Sequence, residues 1–456
     1  MIVSYLLFAA SFQAYALGPA TPANLDLECQ KFISSIDADY YYKWIDVPET
    51  PNSSEMITVF YYYRKAASFK NPVIFFNGGP GYTSHSSADG LEKAKAKLGG
   101  NAGLDIDFIL MDQRGSGCST RFPIGASPQA IEKLVWYGSS GIVNDAEAIR
   151  KALIGDRKWK VFGQSFGGHV VHRYLKMYPQ AISSAHAHGF TEGRSDFDFS
   201  YSRVVAEDSV LKSYLKRYPD DGLRLNGLTR LVSDPKKCYL NAASLEICGY
   251  EISAPLFVLL GFRDQWESLH LWLAYMVPAS LAVEENVNDY VQKFITSAFV
   301  LHKISDIDES YFAQVSVALN FIGLIDSNST PMDAIKCAAI YKKIESVNKV
   351  KQENLLFDPC KAPVQFNYYD QLGSILKSRI PDSDVDFIKL DDIKVNLLSY
   401  KIPFFLYSGG MDSLVPKDLF QTEVKFLGSL VRYTNFPGSG HDGYYTESQV
   451  LLDLMK

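Results

Sequence analysis

The chain has 456 residues, of which 47% are hydrophobic, and it carries a formal net charge of -6. One hydrophobic core usually serves no more than roughly 250 to 300 residues, so we expect more than one folding unit. The net negative charge and the lack of a long Lys/Arg run argue against electrostatic attraction to polyanions. A nucleic-acid partner is therefore not expected.

The first residues have features of an export signal. Residues 2–10 form an apolar run, and residues 14–16 read Ala-Tyr-Ala, the small-residue pattern of a signal-peptidase site. Lys and Arg are absent ahead of the run, so an ordinary apolar strand is the alternative. We predict a signal peptide over residues 1–16 and export to the periplasm or the medium. No other segment has the length of a membrane span, so no integral span is expected after removal of the leader.

The cysteine content suits an oxidising compartment. The six cysteines stand at positions 29, 118, 238, 248, 337 and 360, and six cysteines allow 15 connectivities. The pairs that close short local loops are Cys238 with Cys248 and Cys337 with Cys360, so these are the first to expect. The two cysteines nearest the amino terminus are equally well explained as independent buried thiols.

Apolar runs of strand length follow one another along the chain, and most end in a glycine-rich or polar loop. Two antiparallel strands are predicted first, over residues 40–47 and 56–64, because Tyr, Val and Ile are frequent there and turn formers separate them. The later runs are residues 73–76, 108–111, 160–162, 185–187, 404–407 and 432–435. Helical patterns separate several of them, for example at residues 143–153. This alternation predicts an α/β fold, with a mostly parallel sheet and helices on both faces.

A change of pattern marks a candidate insertion. Between about residues 191 and 395 the strand signals stop, and long aromatic-rich helical patterns replace them. These patterns cover residues 266–275, 287–301 and 311–324. We predict a helical cap over residues 191–395, inserted between the two parts of the sheet domain at residues 17–190 and 396–456.

The most informative motif lies between a predicted strand, residues 159–163, and a predicted helix, residues 167–177. Residues 163–168 read Gly-Gln-Ser-Phe-Gly-Gly, which is the nucleophile-elbow pattern. In such an elbow, glycines let the strand and the helix approach closely, and the serine hydroxyl is pushed outward. A glycine-lined turn with a solvated serine is the alternative for so short a motif. We predict that Ser165 is the nucleophile of a serine hydrolase.

A second glycine-rich motif, Asn-Gly-Gly-Pro-Gly over residues 77–81, directly follows a predicted strand. A tetrahedral acyl intermediate needs two backbone N–H donors near its oxyanion, and residues without a side chain let the backbone come that close. We assign one donor to Gly79, or else to Gly78. The other is Phe166, the residue after the nucleophile.

Ser165 needs a base to accept its proton. Among eight histidines, His441 is the candidate, because it lies in Gly-Ser-Gly-His-Asp-Gly, residues 438–443, just after the last predicted strand. Asp412, after the penultimate strand, would orient the imidazole and stabilise its cation. Asp442 is its rival, but a residue next to the histidine cannot easily reach the Nδ1 atom. The order Ser, Asp, His along the chain is that of the α/β-hydrolases.

A third motif, Asp-Gln-Arg-Gly-Ser-Gly-Cys-Ser, occupies residues 112–119, where Asp and Arg could pair locally in a polar turn. Combined with residues 77–81, residues 163–168 and the late Asp and His loops, it makes the chain resemble the prolyl aminopeptidase family of α/β-hydrolases, which includes proline iminopeptidases and tripeptidyl aminopeptidases. The resemblance covers about residues 40–190 and 401–456, and not the cap. It implies a peptide or small amide or ester substrate, an acyl-enzyme mechanism, and no metal or organic cofactor.

Together with the predicted signal peptide, the resemblance predicts an exported serine hydrolase that cleaves peptide or amide bonds near a free amino terminus. Asn77 and Gln164 depart from the family pattern: serine carboxypeptidases hold a substrate carboxylate with an Asn at the first position and a Glu at the second. A carboxypeptidase or carboxylesterase is therefore the alternative, and a non-catalytic binding protein is the alternative from another class. In the aminopeptidases, carboxylates of the cap bind the free amine. The candidates here are Glu192 and Glu207 with Asp208, although each is also explained as a solvated surface charge.

Overall fold

An eight-stranded sheet, with strand order β1-β2-β4-β3-β5-β6-β9-β10, forms the centre of the protein. The computed structural model describes residues 27–36, 39–51, 53–98, 106–121, 133, 135–193, 196–225, 238–240, 246–248, 259–276, 338–339, 341–342 and 388–456. The strands of the sheet are β1 (Tyr40–Pro48), β2 (Met56–Arg64), β3 (Pro72–Phe76), β4 (Asp107–Met111), β5 (Trp159–Gln164), β6 (Ile182–His188), β9 (Phe404–Gly409) and β10 (Val431–Phe436).

Most of the sheet is parallel. Strand β1 pairs antiparallel with β2, and β2 pairs antiparallel with β4, whereas the strands from β4 to β10 are parallel to one another. Every residue of β3, β5 and β9 is buried. Strands covered on both faces read as continuous apolar runs, and this is why they were visible in the sequence. The predicted α/β class and mostly parallel sheet are confirmed.

Helices cover both faces of the sheet. In chain order they are α1 (Leu27–Ser35), α2 (His85–Lys97), α3 (Ser139–Ile154), α4 (Phe166–Met177), α5 (Asp196–Arg217), α6 (Trp266–Met276), α7 (Leu390–Tyr400), α8 (Phe420–Leu427), α9 (Gly443–Thr446) and α10 (Ser448–Met455). Ile74 and Phe76 of β3 share a core with residues of α3, α4, α7 and α8. The alternate residues Val73 and Phe75 share a core with residues of α1, α2, α9 and α10. Two hydrophobic cores therefore hold the sheet between helical layers.

The described part of the predicted cap is not purely helical. It contains α5, α6 and a small antiparallel hairpin of β7 (Cys238–Leu240) and β8 (Glu246–Cys248), so the expectation that strands are absent between residues 191 and 395 is wrong. The predicted helix over residues 266–275 is found as α6. The other two helical patterns lie outside the described residues. The cap boundaries themselves stay a prediction.

One disulfide joins the amino-terminal helix to the core. Cys29 of α1 is bonded to Cys118, with a Cα–Cα distance of 5.1 Å, so these two are not the independent thiols that the sequence equally allowed. The backbones of Cys238 and Cys248 lie opposite each other in the β7–β8 hairpin. The last two cysteines of the chain lie outside the described residues.

The length and hydropathy of a helix decide whether it can cross a membrane. No helix among the described residues is both long enough and apolar enough to cross a membrane. The predicted signal peptide, residues 1–16, lies outside the described part of the chain. Export therefore stays a prediction.

Candidate active site

The candidate site residues follow the carboxyl ends of four parallel strands. The glycine loop at residues 77–81 follows β3, Ser165 follows β5, Asp412 follows β9 and His441 follows β10. In parallel α/β sheets these ends lie at one edge, where ligands bind. The strand order explains why residues more than 270 positions apart in the chain are neighbours: Gln164 Nε2 lies 3.4 Å from the carbonyl oxygen of His441.

Ser165 occupies a strained turn between β5 and α4. Its φ of 54° and ψ of -124° are unusual for a residue with a side chain, and such strain costs about 1–3 kcal/mol. The flanking glycines have a steric reason. A Cβ on Gly163 would overlap the carbonyl oxygen of Gly167, and a Cβ on Gly167 would overlap that of Phe76. Close packing of strand, helix and glycine loop therefore forces the serine outward.

The backbone N–H groups of the glycine loop and of Phe166 lie near Ser165. Phe166 begins α4, where the first amide groups have no partner within the helix. Among the described residues, the N–H groups of Gly78, Gly79 and Phe166 donate no hydrogen bond. A Cβ on Gly78 would lie 3.1 Å from the Cβ of Ser165, so the glycine loop lies directly against the serine. These donors are available to a negative oxygen bound at Ser165.

Two amide side chains brace the glycine loop. Asn77 Nδ2 donates to the carbonyl oxygen of Thr83, and the carbonyl oxygen of Asn77 accepts a 3.0 Å hydrogen bond from Gln113 Nε2. The Oε1 atom of Gln164 fills the space that a Cβ on Gly78 would need. Both predicted substrate-binding amides therefore contact the protein itself in this structure.

The motif at residues 112–119 is hydrogen-bonded to the segment that follows the glycine loop. The Asp112 carboxylate is buried and accepts hydrogen bonds of 2.8 Å from both the N–H and the hydroxyl of Ser84. Its other oxygen accepts the Cys118 N–H at 2.9 Å. Burial raises the pKa of Asp112, and these hydrogen bonds oppose that rise. The disulfide, the motif and the segment after the glycine loop are thus connected.

The sequence allowed a local pair between Arg114 and Asp112. In the structure Arg114 pairs instead with Asp145 of α3. The guanidinium makes two hydrogen bonds to this carboxylate, of 2.8 and 2.6 Å, and both side chains are buried. Its remaining nitrogen donates to the carbonyl oxygens of Glu49 and Trp136. The Asp145 partner was invisible in the sequence, because it comes from an unremarkable helical position.

Asp412, rather than Asp442, contacts the imidazole of His441. The distance between Asp412 Oδ2 and His441 Nδ1 is 2.7 Å. The other Asp412 oxygen accepts the N–H groups of Leu414 and Val415 at 2.9 and 2.8 Å, which fixes the carboxylate. Asp442 Oδ1 instead accepts the N–H of Gly440 at 3.0 Å. This arrangement places a hydrogen on Nδ1 and leaves Nε2 of His441 to act as a base.

Ser165 Oγ and the imidazole of His441, both within the described residues, share no hydrogen bond in this structure. Catalytic hydrogen bonds often tighten only when a substrate is bound. The backbone around the pair is nevertheless compact. The Ser165 N–H donates to the carbonyl oxygen of His188 at 2.8 Å, and a Cβ on Gly189 would lie 2.8 Å from His441 Cε1.

His188 is a neighbour of the site that sequence reasoning missed. It is the last residue of β6 and is fully buried. Within the described part of the chain neither ring nitrogen has a hydrogen-bond partner, and a Cβ on Gly443 would lie 2.6 Å from the Nε2 atom of His188. Burial, followed by the proximity of His441, lowers the pKa of His188 well below its ordinary value. His188 is therefore uncharged and packs next to His441.

The helix after Ser165 is tied to α8 by a buried pair. His172 Nδ1 donates to the carbonyl oxygen of Gly168, and Nε2 donates to Glu423, both at 2.7 Å. Burial by itself lowers the pKa of His172, but the Glu423 carboxylate raises it above the ordinary value. A histidine that donates from both nitrogens carries a positive charge.

Glu192 lies next to the nucleophile helix. Its carboxylate is 2.7 Å from His169 Nδ1, and its N–H donates to Glu423. The ring of His169 in turn lies 5.7 Å from that of Phe166. The other two carboxylate candidates are on α5: one is the buried Glu207, and the other, Asp208, pairs with Lys212 near the surface.

Part of the chain is similar to known α/β-hydrolases. Residues 71–220 match the family model of the alpha/beta hydrolase fold. The chain is 31% identical over 160 residues to a proline iminopeptidase of Aeromonas sobria, covering 32% of this chain and 35% of that protein. It is 27% identical over 146 residues to a proline iminopeptidase of Aspergillus aculeatus, covering 28% and 32%. The chain thus spans about a third of the length of the curated relatives it matches.

A solved structure of a proline iminopeptidase from Mycobacterium smegmatis aligns over 91% of this chain and 99% of its own, at 15% identity and a TM-score of 0.38. The protein has an α/β-hydrolase fold, with Ser165, His441 and Asp412 at the carboxyl edge of its sheet. About a third of the chain is similar in sequence to proline iminopeptidases, so the resemblance found in the motifs is confirmed. In the described part of the chain, no group of three His, Cys, Asp or Glu residues is arranged to hold a metal ion.

Proposed function

We propose that this protein is an exported serine hydrolase of the proline iminopeptidase type, which cleaves a peptide or amide bond near a free amino terminus through an acyl-enzyme. The observation that carries the proposal is the conjunction at one sheet edge of a strained Ser165, undonated N–H groups beside it, and an imidazole oriented by Asp412. A scaffold that only binds has no chemical need for this combination. The similarity to proline iminopeptidases supports the peptidase assignment.

The proposed reaction uses the groups already described. Ser165 Oγ attacks the substrate carbonyl carbon while His441 Nε2 takes the hydroxyl proton. The N–H groups of Phe166 and Gly79, or Gly78, donate to the tetrahedral oxyanion. The leaving amine departs with the proton from His441, and an acyl group stays on Ser165. Water, deprotonated by His441, then attacks the acyl carbon, and collapse of the second intermediate returns the proton to Ser165.

The preference for a free amine rests on Glu192. Its side chain is 16% exposed, and it is joined through His169 to Phe166 at the proposed oxyanion site. A carboxylate here can attract the ammonium group of a substrate, since opposite charges interact strongly where water is partly excluded. Glu192→Gln should raise KM for substrates with a free amine and leave blocked ester substrates unaffected. Glu267→Gln, at an exposed position of the predicted cap, is the matched control.

The carboxypeptidase alternative loses support from the contacts of Asn77 and Gln164. Both amides are buried and contact the protein, the first at Thr83 and the second at His441. A residue that recognises a substrate carboxylate needs a donor directed at it. Carboxylesterase activity uses the same nucleophile and is distinguished by substrate choice alone.

Export is supported by the disulfide. The Cys29–Cys118 bond connects α1 to the motif beside the site, and such bonds persist chiefly in oxidising compartments. Together with the apolar segment before residue 16, this favours a periplasmic or secreted protein. Fractionation of the native host followed by immunoblotting of the full chain tests this assignment, and a solely cytosolic protein would contradict it.

A fluorophosphonate probe tests the chemistry. The wild-type protein should be labelled at Ser165, and Ser165→Ala should not react, with peptide mass spectrometry locating the label. A panel of amino-terminal Pro, Ala and Leu arylamides, carboxyl-terminal peptides and short-chain esters then tests the substrate class. Cleavage of the arylamides is expected. Turnover of esters alone would overturn the peptidase assignment, and an unreactive wild type would overturn the enzyme assignment.

A further inference from the structure

A short segment of the predicted cap, residues 259–265, lies directly against the loop that carries His441. The N–H of His441 donates to the carbonyl oxygen of Gly261 at 2.8 Å. The N–H of Arg263 lies 3.3 Å from Asp442 Oδ1, and the Arg263 guanidinium donates to the carbonyl oxygen of Gly438. The base of the proposed triad is therefore hydrogen-bonded to the insertion through its own backbone and through that of its neighbours.

The contact is close enough to require glycine on both sides. A Cβ on Gly440 would overlap the carbonyl oxygen of Gly261 and lie 2.9 Å from the Arg263 nitrogen. A Cβ on Gly261 would lie 2.8 Å from Cγ of Leu414, two residues after Asp412. The glycines around His441 thus serve a second purpose besides loop formation, because they let the insertion contact the loop backbone.

The same segment contacts the imidazole itself. The ring of Phe262 stands edge-on to the ring of His441, with centroids 5.3 Å apart and an interplanar angle of 84°. On another side Gly189 approaches Cε1, and Asp412 holds Nδ1. The imidazole is 2% exposed. Phe262 therefore restricts rotation that the single hydrogen bond to Asp412 would allow.

The segment is held in place by contacts to α5 and to α9. Trp266 Nε1 donates to the carbonyl oxygen of Leu260 at 2.9 Å, and its ring packs edge-on against Tyr214 of α5 at 5.6 Å. Asp264 accepts a hydrogen bond from Tyr445 of α9, so the segment is also fixed to the core. It connects the helices of the predicted cap to the proposed base.

We propose that Phe262 and Arg263 are positioning residues for His441, so that the insertion, and not the hydrolase core alone, sets the orientation of the base. This inference rests on the proposed function of Ser165 and His441. Phe262 constrains the imidazole plane, and the backbone N–H of Arg263 holds the loop through Asp442. Loss of either contact lets the imidazole deviate from the line to Ser165, and small displacements of reacting groups cost large factors in rate.

Two variants with a matched comparison separate these contacts. Phe262→Leu removes the aromatic edge and keeps an apolar side chain. Arg263→Pro removes the N–H bonded to Asp442, whereas Arg263→Ala removes the guanidinium and keeps that N–H. The local backbone suits proline at this position, because Arg263 is the first residue of a short 3-10 helix and Phe262 before it is extended, with ψ of 103°. Glu267→Gln, at an exposed position on α6, is the control.

The rate of Ser165 phosphonylation by the fluorophosphonate is the first measurement, because it needs the base and no natural substrate. We expect about 10- to 100-fold slower labelling in Phe262→Leu and Arg263→Pro, as for other misplaced reacting groups. Arg263→Ala should fall between these variants and the wild type, and Glu267→Gln should match the wild type. With a cleaved arylamide, kcat should fall and KM stay nearly constant. The low-field proton resonance of His441 Nδ1–H should broaden or shift in both slow variants.

Wild-type labelling rates in both Phe262→Leu and Arg263→Pro would overturn the positioning role while leaving the proposed function intact. An unlabelled wild type would instead overturn the proposed function. Phe262→Leu decides alone if circular dichroism shows that the proline variant does not fold. A slow variant whose His441 resonance is unchanged would contradict the inference, because the effect would then not pass through the imidazole.

Discussion

The two halves of the candidate active site are held by different parts of the chain. The half that would bind the acyl group, with Ser165 and the glycine loop, is braced by Gln113, Asp112 and the neighbouring strands. The half that carries His441 contacts residues 259–265, which belong to the predicted cap. The proposed oxyanion site is thus braced by the sheet domain, whereas the proposed base also contacts the predicted cap.

The largest expected effect is a loss of reaction rate from a substitution in the half of the site that carries His441. Asp412→Asn should slow Ser165 phosphonylation by about 10³- to 10⁴-fold, because an amide at this position favours the wrong imidazole tautomer. Thermal unfolding should change little by comparison, since the two bonds from Leu414 and Val415 to the carboxylate can be made to the amide oxygen. Asp442→Asn is the comparison. An equal loss of rate in both variants would contradict the assignment of Asp412 as the orienting residue.

A substitution in the acyl-binding half of the site should change the free energy of unfolding. Asp145→Ala leaves the Arg114 guanidinium buried without its carboxylate, and removal of one partner from such a pair costs about 3–5 kcal/mol. Denaturant unfolding should show this loss. Asp208→Ala is the control, since its pair with Lys212 is near the surface and contributes no more than about 1 kcal/mol. Similar losses in both variants would refute the distinction.

The disulfide provides a smaller perturbation of the same half. Replacing Cys29 and Cys118 together by Ser removes a link that spans 89 residues of sequence, and we expect a loss of about 2–4 kcal/mol in the free energy of unfolding. The labelling rate of Ser165 should remain near that of the wild type at temperatures where the variant is folded. A large loss of rate without a loss of stability would show that the link controls the site itself.

The smallest expected effect is the pH dependence of the His172–Glu423 pair, which joins α4 to α8. Because the pKa of His172 is raised above its ordinary value, the pair with Glu423 contributes its full stability below about pH 6.5. This contribution should diminish as the pH rises through the folded-state pKa. His172→Gln removes the titration, so the difference in unfolding free energy between wild type and variant should shrink from pH 6 to pH 9. A constant difference would contradict the raised pKa.

The sequence predicted the sheet well, but it did not reveal the short hairpin within the predicted cap. The strands of the core are apolar runs that pack on both faces, so their positions follow from local composition. The hairpin of β7 and β8 was missed, because three-residue strands leave almost no periodic signal. The disulfide of Cys29 was left open because its partner is distant in the chain.

The sequence by itself determined the elbow at Ser165, the glycine loop and the chain order of the three proposed triad residues, because these depend on residue type and short spacing. Only the tertiary structure decided which groups those residues contact. Asp145 as the partner of Arg114, His188 behind His441, and Phe262 against the imidazole each come from a separate element. The physical reason is that backbone geometry is encoded locally, whereas side-chain partners are set by how distant elements pack together.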